Sequence, residues 1–114
     1  MKNKDYSNII HLISYCNQIE DILEEYDYSY DLFKTEKTFQ LATSMCIIQI
    51  GEFVNRLSDD FKNKNNHIEW QQIKGMRNIA THRYDVLDFS ILWETLTVNV
   101  PELKRDLEKL LDLF

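Results

Sequence analysis

The sequence predicts an all-α protein, an antiparallel bundle of four principal helices that forms a single domain over residues 1–114. Three observations lead to this prediction. The 114-residue chain is long enough for one hydrophobic core and too short for two. It contains only two glycines and one proline, whereas sheets and hairpins need these residues at their turns. Its apolar residues recur at spacings of three and four, which is the period of an amphipathic helix.

The first helix is predicted over residues 5 to about 26. The connector after it, residues 26–36, contains three tyrosines and has no clear period. Ser29 or Asp31 can cap a short helical turn that ends near Lys34, and we expect the tyrosines to pack on the core rather than to stack on bases. The apolar stripe of the first helix alternates between spacings of three and four: Ile9, Leu12, Cys16, Ile19, Leu23 and Tyr26.

The second long helix is predicted from about Glu36 to Leu57 and carries two apolar strips. Such a helix lies centrally in a bundle or faces a partner subunit. Gly51 costs about 1 kcal/mol relative to alanine in a helix, which indicates that another backbone approaches there. Glu52 and Arg56 are four residues apart and are expected to pair along the helix surface. One strip contains Phe39, Ala42, Cys46, Ile50, Phe53 and Leu57, and the second contains Leu41, Met45 and Ile48.

The remaining elements are a polar loop over residues 58–67, a third helix that includes residues 70–84, and a last helix that Asp88 can cap. Pro101 removes a backbone donor from the last helix, so a kink or break is expected near Val98 to Val100. The apolar stripe of this helix is Leu92, Leu96, Val100, Leu103, Leu107, Leu110 and Phe114.

No segment has the apolar length that a membrane span needs, and the amino terminus lacks the core of a secretory signal. We therefore expect a soluble, cytoplasmic protein. Cys16 and Cys46 lie on apolar stripes and are predicted to be reduced, structural thiols. A metal site is disfavoured and no cofactor is expected, because the three histidines, His11, His67 and His82, show no ligand spacing.

The formal net charge of −6 argues against general nucleic-acid binding. Between residues 61 and 84, however, five cations accompany the single anion Glu69, a local charge of +4. Such a patch can attract an anionic substrate, although on charge alone a solvated basic surface is an equally good interpretation. Lys74 and Arg83 in this region are candidate phosphate-binding residues.

Chemistry-bearing side chains concentrate in the third helix, in the stretch WQQIKGMRNIATHRY from Trp70 to Tyr84. At about 100° per residue, one face is apolar and should turn to the core: Trp70, Ile73, Met76 and Ala80. The opposite face has the mixed character of a groove or a second packing surface: Gly75, Asn78, Ile79 and His82.

Arg77 and His82 are five residues apart, about 140° around an ideal helix. Both reach one phosphate only if the arginine extends around the helix, if the helix loosens near Thr81, or if the two residues come from different subunits. Cleavage of a ribose phosphodiester needs a base, an acid and a cation, and a two-fold dimer supplies two of each side chain. A surface or helix-capping His82 and a buried, structural Tyr84 are the alternatives.

The run GMRNIATHRYDVLD resembles the motif of the HEPN superfamily, specifically its HepT-like toxins, in which arginine, asparagine, histidine and tyrosine recur in this order. The similarity extends to an Ile-Gly-Glu element at residues 50–52, to the helix of Trp70, and to a Pro-x-Leu element at residues 101–103. The resemblance implies a HEPN-like helical fold and a metal-independent ribonuclease that works as a homodimer.

By the same resemblance, Arg77 would hold the scissile phosphate, His82 would act as general acid or base, and Asn78 would orient the phosphate. The implied partners are an RNA substrate, such as tRNA or mRNA, and a minimal nucleotidyltransferase antitoxin that adenylylates the tyrosine at the position of Tyr84. An attached nucleotide there would fill the cleft and repel RNA. Two other functions stay open: a non-catalytic helical module that binds or regulates a nucleotidyltransferase, and a plain helical dimer.

Overall fold

The computed structural model describes the backbone of residues 2–82 and 89–114 and the side chains of residues 4–78 and 89–114. Over these ranges the chain is helical and contains no strand, so the predicted all-α class is confirmed. None of the helices in these ranges is both long and apolar enough to cross a membrane. The helices are α1 (Lys2–Glu25), α2 (Tyr30–Thr35), α3 (Lys37–Arg56), α4 (Asp59–Lys64), α5 (Trp70–His82), α6 (Phe89–Glu94), a π-helical turn (Thr95–Asn99) and α7 (Val100–Leu111).

Helix α3 lies at the centre of the packing, because α1, α2 and α5 all contact it, while α7 packs on α1. The predicted stripe of α1 is buried from Ile9 to Leu23. The stripe of the last helix is buried from Leu92 to Leu110, but Phe114 lies beyond the end of α7 and is exposed. The periodicity therefore identified the buried faces of α1 and of the last helical segment correctly, apart from Phe114.

The connector between α1 and α3 folds as predicted, except at Tyr28. The side chain of Ser29 caps α2 by accepting a hydrogen bond from the backbone N–H of Leu32. The ring of Tyr26 stacks on Phe39 with 4.3 Å between centroids, and Tyr30 packs on Trp93. Two of the three tyrosines thus contact the core; the third, Tyr28, is exposed.

The prediction that residues 58–67 form a loop is wrong, because α4 occupies most of that segment. Ser58 begins the helix by accepting from the N–H of Phe61, and the carboxylate of Asp5 accepts hydrogen bonds from both the N–H and the hydroxyl of Ser58. Acidic residues occupy the first turn and lysines the last turn, an arrangement that complements the helix dipole. These contacts, one of which comes from the distant Asp5, stabilise a helix too short to show apolar periodicity.

The break predicted near Pro101 takes the form of a wide turn. Residues Thr95–Asn99 are π-helical, the N–H of Val100 donates to the carbonyl of Thr95, and Pro101 then lies in the first turn of α7. A proline at this point lacks the N–H of an ordinary helical bond and its ring crowds the preceding turn. The hydroxyl of Thr97 donates to the carbonyl of Trp93 at 2.8 Å, which satisfies one acceptor in the distorted turn.

Cys16 and Cys46 are buried and unpaired with each other, as predicted for structural thiols. Burial raises the pKa of the Cys16 thiol to about 12, with a smaller contribution from the nearby carboxylate of Glu20. The thiolate form is therefore strongly disfavoured in the folded protein.

Candidate active site

Helix α5 packs on α3 through the face that the sequence predicted, as far as side chains are described; that of Ala80 lies outside the described side chains. Trp70 and Ile73 are buried, and Met76 is half-buried against the core. Asn78 is exposed, as expected for the opposite face. The orientation of α5 is fixed at its first residue, because the indole Nε1 of Trp70 donates to the carbonyls of Lys62 and Asn65, at 3.3 and 3.2 Å.

Arg77 lies against α3 and forms an ion pair with Glu52. The Nε atom of Arg77 is 3.1 Å from Oε1 of Glu52, and both side chains are 38% exposed. The predicted pairing of Glu52 with Arg56 is therefore wrong. The guanidinium of Arg56 instead lies over the ring of Phe53, 4.4 Å from its centroid, because the cation of α5 occupies the carboxylate.

Gly51 explains how Arg77 comes so close to α3. A Cβ atom at position 51 would lie 2.6 Å from Cβ of Arg77 and 3.0 Å from its Cδ, which is closer than real Cβ contacts. The prediction of a close approach at Gly51 thus holds, but the group that approaches is the side chain of Arg77 rather than a backbone. Gly51 and Glu52 together form a seat on α3 for this arginine.

The seat leaves Arg77 suited to contact a phosphate. The guanidinium has five N–H donors in a planar fork. The contact with Glu52 is made by Nε. Two-point binding of a phosphate can use the two terminal nitrogens instead. An arginine that is held by Gly51 and Glu52 and whose side chain is 38% exposed can therefore offer a fixed cation to an anionic ligand.

The backbone of α5 is α-helical through His82. The chain therefore does not loosen near Thr81, which was one of three ways in which Arg77 and His82 could reach the same phosphate. Positions 77 and 82 remain about 140° apart around the helix axis. The side chain of His82 lies outside the described side chains, and Arg83, Tyr84 and Asp88 lie outside the described residues, so their roles stay predictions.

Lys74, the other predicted phosphate-binding residue in the described range, lies one turn before Arg77 and Asn78. It is half-buried and lines a surface concavity with Trp70 and Gln71.

Gly75 faces open space, because a Cβ added at this position would have no atom within 4 Å. In the described part of the chain no group of three histidine, cysteine, aspartate or glutamate residues is arranged to hold a metal ion.

The second apolar strip of α3 is largely uncovered by the described residues. Leu41 is 53% exposed and Met45 is 57% exposed, and Ile48 is partly buried. These residues and Glu52 follow spacings of four, three and four, so they share one face of α3. The exposed apolar strip therefore leads directly to the carboxylate that holds Arg77.

Sequence reasoning missed the role of Glu52. A signal was present, because an interior glycine next to a carboxylate indicates that a neighbouring element comes close and brings a group for that carboxylate. The i, i+4 spacing to Arg56 offered a simpler local partner. Only the packing of α5 on α3 distinguishes the two arginines.

Comparison with protein families matches residues 12–110 to the family described as Ribonuclease HepT-like. The match covers most of the chain and includes Gly51, Glu52 and Arg77. The chain therefore belongs to the HepT-like ribonuclease family. This result confirms the resemblance seen in the motif.

Several proteins from archaea and bacteria share this similarity. "Putative RNase MJ0125" of Methanocaldococcus jannaschii is 31% identical over 100 residues, which cover 88% of this chain and 84% of that protein. "Probable ribonuclease HepT" of Thermococcus cleftensis is 30% identical over 92 residues, 79% of this chain and 84% of that protein. "Putative RNase MJ1380" of M. jannaschii is 26% identical over 109 residues, 95% and 98% of the two chains. No solved structure matches the chain significantly.

Proposed function

We propose that the chain is a metal-independent endoribonuclease, the toxin of a type II toxin–antitoxin pair, whose active site forms between two copies of the protein. The observation that carries this proposal is the seat of Arg77 on Gly51 and Glu52, in a chain of the HepT-like ribonuclease family. The seat fixes a cation on an otherwise acidic protein, in the helix that carries the motif. This is what a site that stabilises a pentacovalent phosphate requires.

The geometry of α5 supports the proposed dimer. Because the helix stays regular through His82, positions 77 and 82 diverge by about 140°. A two-fold axis near this face would bring Arg77 of one copy toward His82 of the other and would supply two imidazoles. The exposed Leu41 and Met45 lie on the α3 face that ends at Glu52. Burial of that strip would stabilise such an isologous contact at the place where the site forms.

The chemistry assigned to these residues is transfer of the phosphate to the neighbouring 2′-oxygen. The imidazole of one His82 removes the proton of the 2′-hydroxyl, the 2′-oxygen bonds to phosphorus, and the bond from phosphorus to the 5′-oxygen breaks. The imidazolium of the second copy protonates the 5′-oxygen that leaves. Arg77 neutralises the developing charge on the phosphate oxygens, and Asn78 donates to one of them.

The toxin–antitoxin role rests on Tyr84, which follows His82 by two residues in the sequence. A minimal nucleotidyltransferase would attach an adenylyl group to the Tyr84 oxygen, with release of pyrophosphate from ATP. The attached nucleotide adds bulk and negative charge next to the site where RNA binds, so the modified toxin would be inactive.

The proposal is tested by cleavage of total RNA in EDTA by the purified chain and by its Arg77→Ala and His82→Ala variants. We expect both variants to lose cleavage and growth arrest while keeping the helical circular-dichroism spectrum. Arg105→Ala and His67→Ala, which replace exposed residues of the same types, serve as matched controls. Undiminished cleavage by the two motif variants would reject the assignment.

A non-catalytic module that binds a nucleotidyltransferase is the second candidate. The ion pair with Glu52 favours it, because Arg77 has a structural partner even without RNA. This alternative predicts a tight complex with the nucleotidyltransferase and no RNA cleavage by the free chain, in EDTA or with added Mg²⁺.

A further inference from the structure

A concavity of about 520 Å³ lies at the amino end of α5, beside the proposed site. Helix α4, the segment that joins it to α5, and the first turns of α5 form its walls. The volume falls within the range of small-ligand sites, about 300–1,000 Å³. The side chains that define its chemistry are Lys62, Asn63, Asn66, Trp70, Gln71 and Lys74.

The walls of this concavity are held rigidly. The buried Asn65 donates through its side-chain amide to the carbonyl of Phe61 at 2.9 Å, and its own carbonyl accepts from Trp70. The carbonyl of Lys62 accepts a second contact from the same indole. The segment between α4 and α5 is thereby tied to both helices, so the concavity is formed before any ligand arrives.

Three of its side chains are amides with free hydrogen-bonding capacity. Asn63, Asn66 and Gln71 are exposed, and none of them forms a side-chain hydrogen bond with the described part of the chain. An amide presents a donor and an acceptor side by side, which matches the paired donor and acceptor on the edge of a nucleobase. Such a set can recognise a neutral heterocycle.

The charges divide the concavity into a part that holds Asp59, Lys62 and Glu69, with a net charge of −1, and a cationic edge at Lys74. Lys62 is paired with Asp59 at 3.8 Å, and Glu69 also lines the walls. Lys74 has no carboxylate within ion-pair distance among the described residues. It lies on α5, on the side toward Arg77. The amides suit the edge of a base, a carboxylate beside them can accept from an exocyclic amino group, and the cationic edge suits one phosphate.

The same edge continues toward the motif along α5. Gln71, Lys74 and Asn78 are spaced by three and four residues and share one face of the helix. From Lys74 to position 82 the helix advances about 12 Å, a span of roughly three nucleotides at the stacked repeat of about 3.4 Å per strand. A single strand that enters the site can therefore also reach the concavity.

We propose that this concavity is a nucleotide subsite of the ribonuclease, in which Asn66 and Gln71 contact one base and Lys74 contacts its phosphate, a few nucleotides from the scissile bond. The proposal rests on the proposed ribonuclease function and adds a source of sequence preference to it. Residues outside the motif would then determine which RNA sequences are cut.

The test measures binding of fluorescein-labelled homopolymeric 2′-O-methyl RNAs, which lack the attacking hydroxyl, by fluorescence anisotropy between about 50 and 200 mM salt. We expect Lys74→Gln to reduce the slope of log Kd against log salt by about 0.7, the contribution of one phosphate contact in a single strand. The double variant Asn66→Ala/Gln71→Ala should reduce the preference among the four homopolymers about tenfold, because an amide pair on a base edge contributes about 1–3 kcal/mol of discrimination.

Matched controls are Lys109→Gln and Asn17→Ala/Gln18→Ala, which change exposed residues on α7 and α1. A wild-type chain that cleaves RNA, combined with subsite variants that bind like these controls, would overturn the subsite and leave the ribonuclease standing. A wild-type chain that neither binds nor cleaves RNA would overturn both. Subsite variants that bind RNA normally but lose a nucleotidyltransferase partner would assign the concavity to a protein contact instead.

Discussion

The Nε atom of Arg77 lies 3.1 Å from Oε1 of Glu52, and this contact joins the motif helix α5 to the central helix α3. It links two parts of the sequence that are 25 residues apart, the Ile-Gly-Glu element and the arginine of the motif. Gly51 provides the space for the arginine and Glu52 provides its counter-ion. The arginine is therefore placed by α3 as well as by its own helix.

Glu52→Gln should reduce RNA cleavage about tenfold through kcat, with a smaller change in KM. The substitution keeps the size of the side chain but removes the charge that orients Arg77. A charge-assisted hydrogen bond contributes about 1.5–3 kcal/mol, and the lower end applies to this half-exposed pair. Single-turnover and steady-state assays on a defined RNA measure the split, and circular dichroism checks the fold.

Glu52→Asp keeps the charge and should recover part of the lost rate, whereas Glu24→Gln, on the exposed face of α1, should behave like wild type. A Glu52→Gln variant with the wild-type kcat would show that the carboxylate does not position the arginine for catalysis.

The two glycines of the chain should respond in opposite ways to replacement by alanine. Gly51→Ala places a methyl group 2.6 Å from Cβ of Arg77, and overpacking of this kind costs about 1–3 kcal/mol. That cost exceeds the intrinsic helical advantage of alanine, about 1 kcal/mol, so the free energy of unfolding should fall. Urea denaturation measures this change as a shift in the midpoint urea concentration, with the m-value unchanged.

Gly75→Ala is the internal comparison, because no atom lies within 4 Å of the added methyl group. This variant should raise the free energy of unfolding by up to about 1 kcal/mol. A Gly51→Ala variant as stable as Gly75→Ala would mean that α5 can move away from α3 without cost.

Met45→Glu should convert the proposed dimer into a monomer and abolish cleavage. The side chain is 57% exposed on the apolar strip of α3, and a carboxylate there would meet its own copy across the two-fold axis. Sedimentation equilibrium measures the mass, and RNA cleavage is assayed on the same samples. Tyr28→Glu changes a similarly exposed aromatic residue in the connector and should leave the mass unchanged. A dimer that persists in Met45→Glu would place the interface elsewhere.

Cys16 should make the folded protein less stable as the pH rises from about 9 to about 12. Burial raises the pKa of this thiol from 9.0 to about 12 in the folded state. Over that window the unfolded chain loses a proton that the folded chain retains, so the unfolded state is favoured increasingly with pH. The stability that the neutral thiol provides is fully present below about pH 9.

Urea denaturation of wild type and Cys16→Ala at several pH values isolates this contribution, because the alanine variant lacks the titrating group. The free energy of unfolding of wild type minus that of Cys16→Ala should be constant below about pH 9 and should decrease above it. A constant difference up to pH 12 would contradict the raised pKa, as would alkylation of Cys16 by iodoacetamide in the native protein at neutral pH.

The sequence was sufficient to predict the long helices, because their apolar residues are periodic over many turns. It also located the distortion before Pro101, since a missing N–H has the same consequence in any helix. It failed for α4, which has six residues and depends on Asp5, more than fifty positions away, to hold Ser58. A contact between distant segments leaves no local pattern.

The site shows the same division between local and distant information. Spacing around a helix correctly placed Trp70 and Ile73 inside and Asn78 outside. Spacing also suggested Arg56 as the partner of Glu52, because Arg56 lies one turn away on the same helix. Arg77 comes within reach of that carboxylate only when α5 packs on α3. The space at Gly51 admits the side chain of Arg77 and so determines which arginine pairs with Glu52. This fit is a property of the two packed helices and not of either segment alone.

The π-helical turn before Pro101 also affects how this chain can change in length. A wide turn holds one residue more than an α-helical turn, and Val100 already bonds to Thr95 across it. Removal of one residue from Thr95–Asn99 would shorten the turn to ordinary geometry, and the proline that follows has no N–H to lose. Elsewhere in the last helical segment the same deletion would rotate the buried stripe of α7 out of contact with α1. In the described last helical segment, residues 89–111, this turn is therefore where a single-residue deletion is tolerable while the register of α7 is kept.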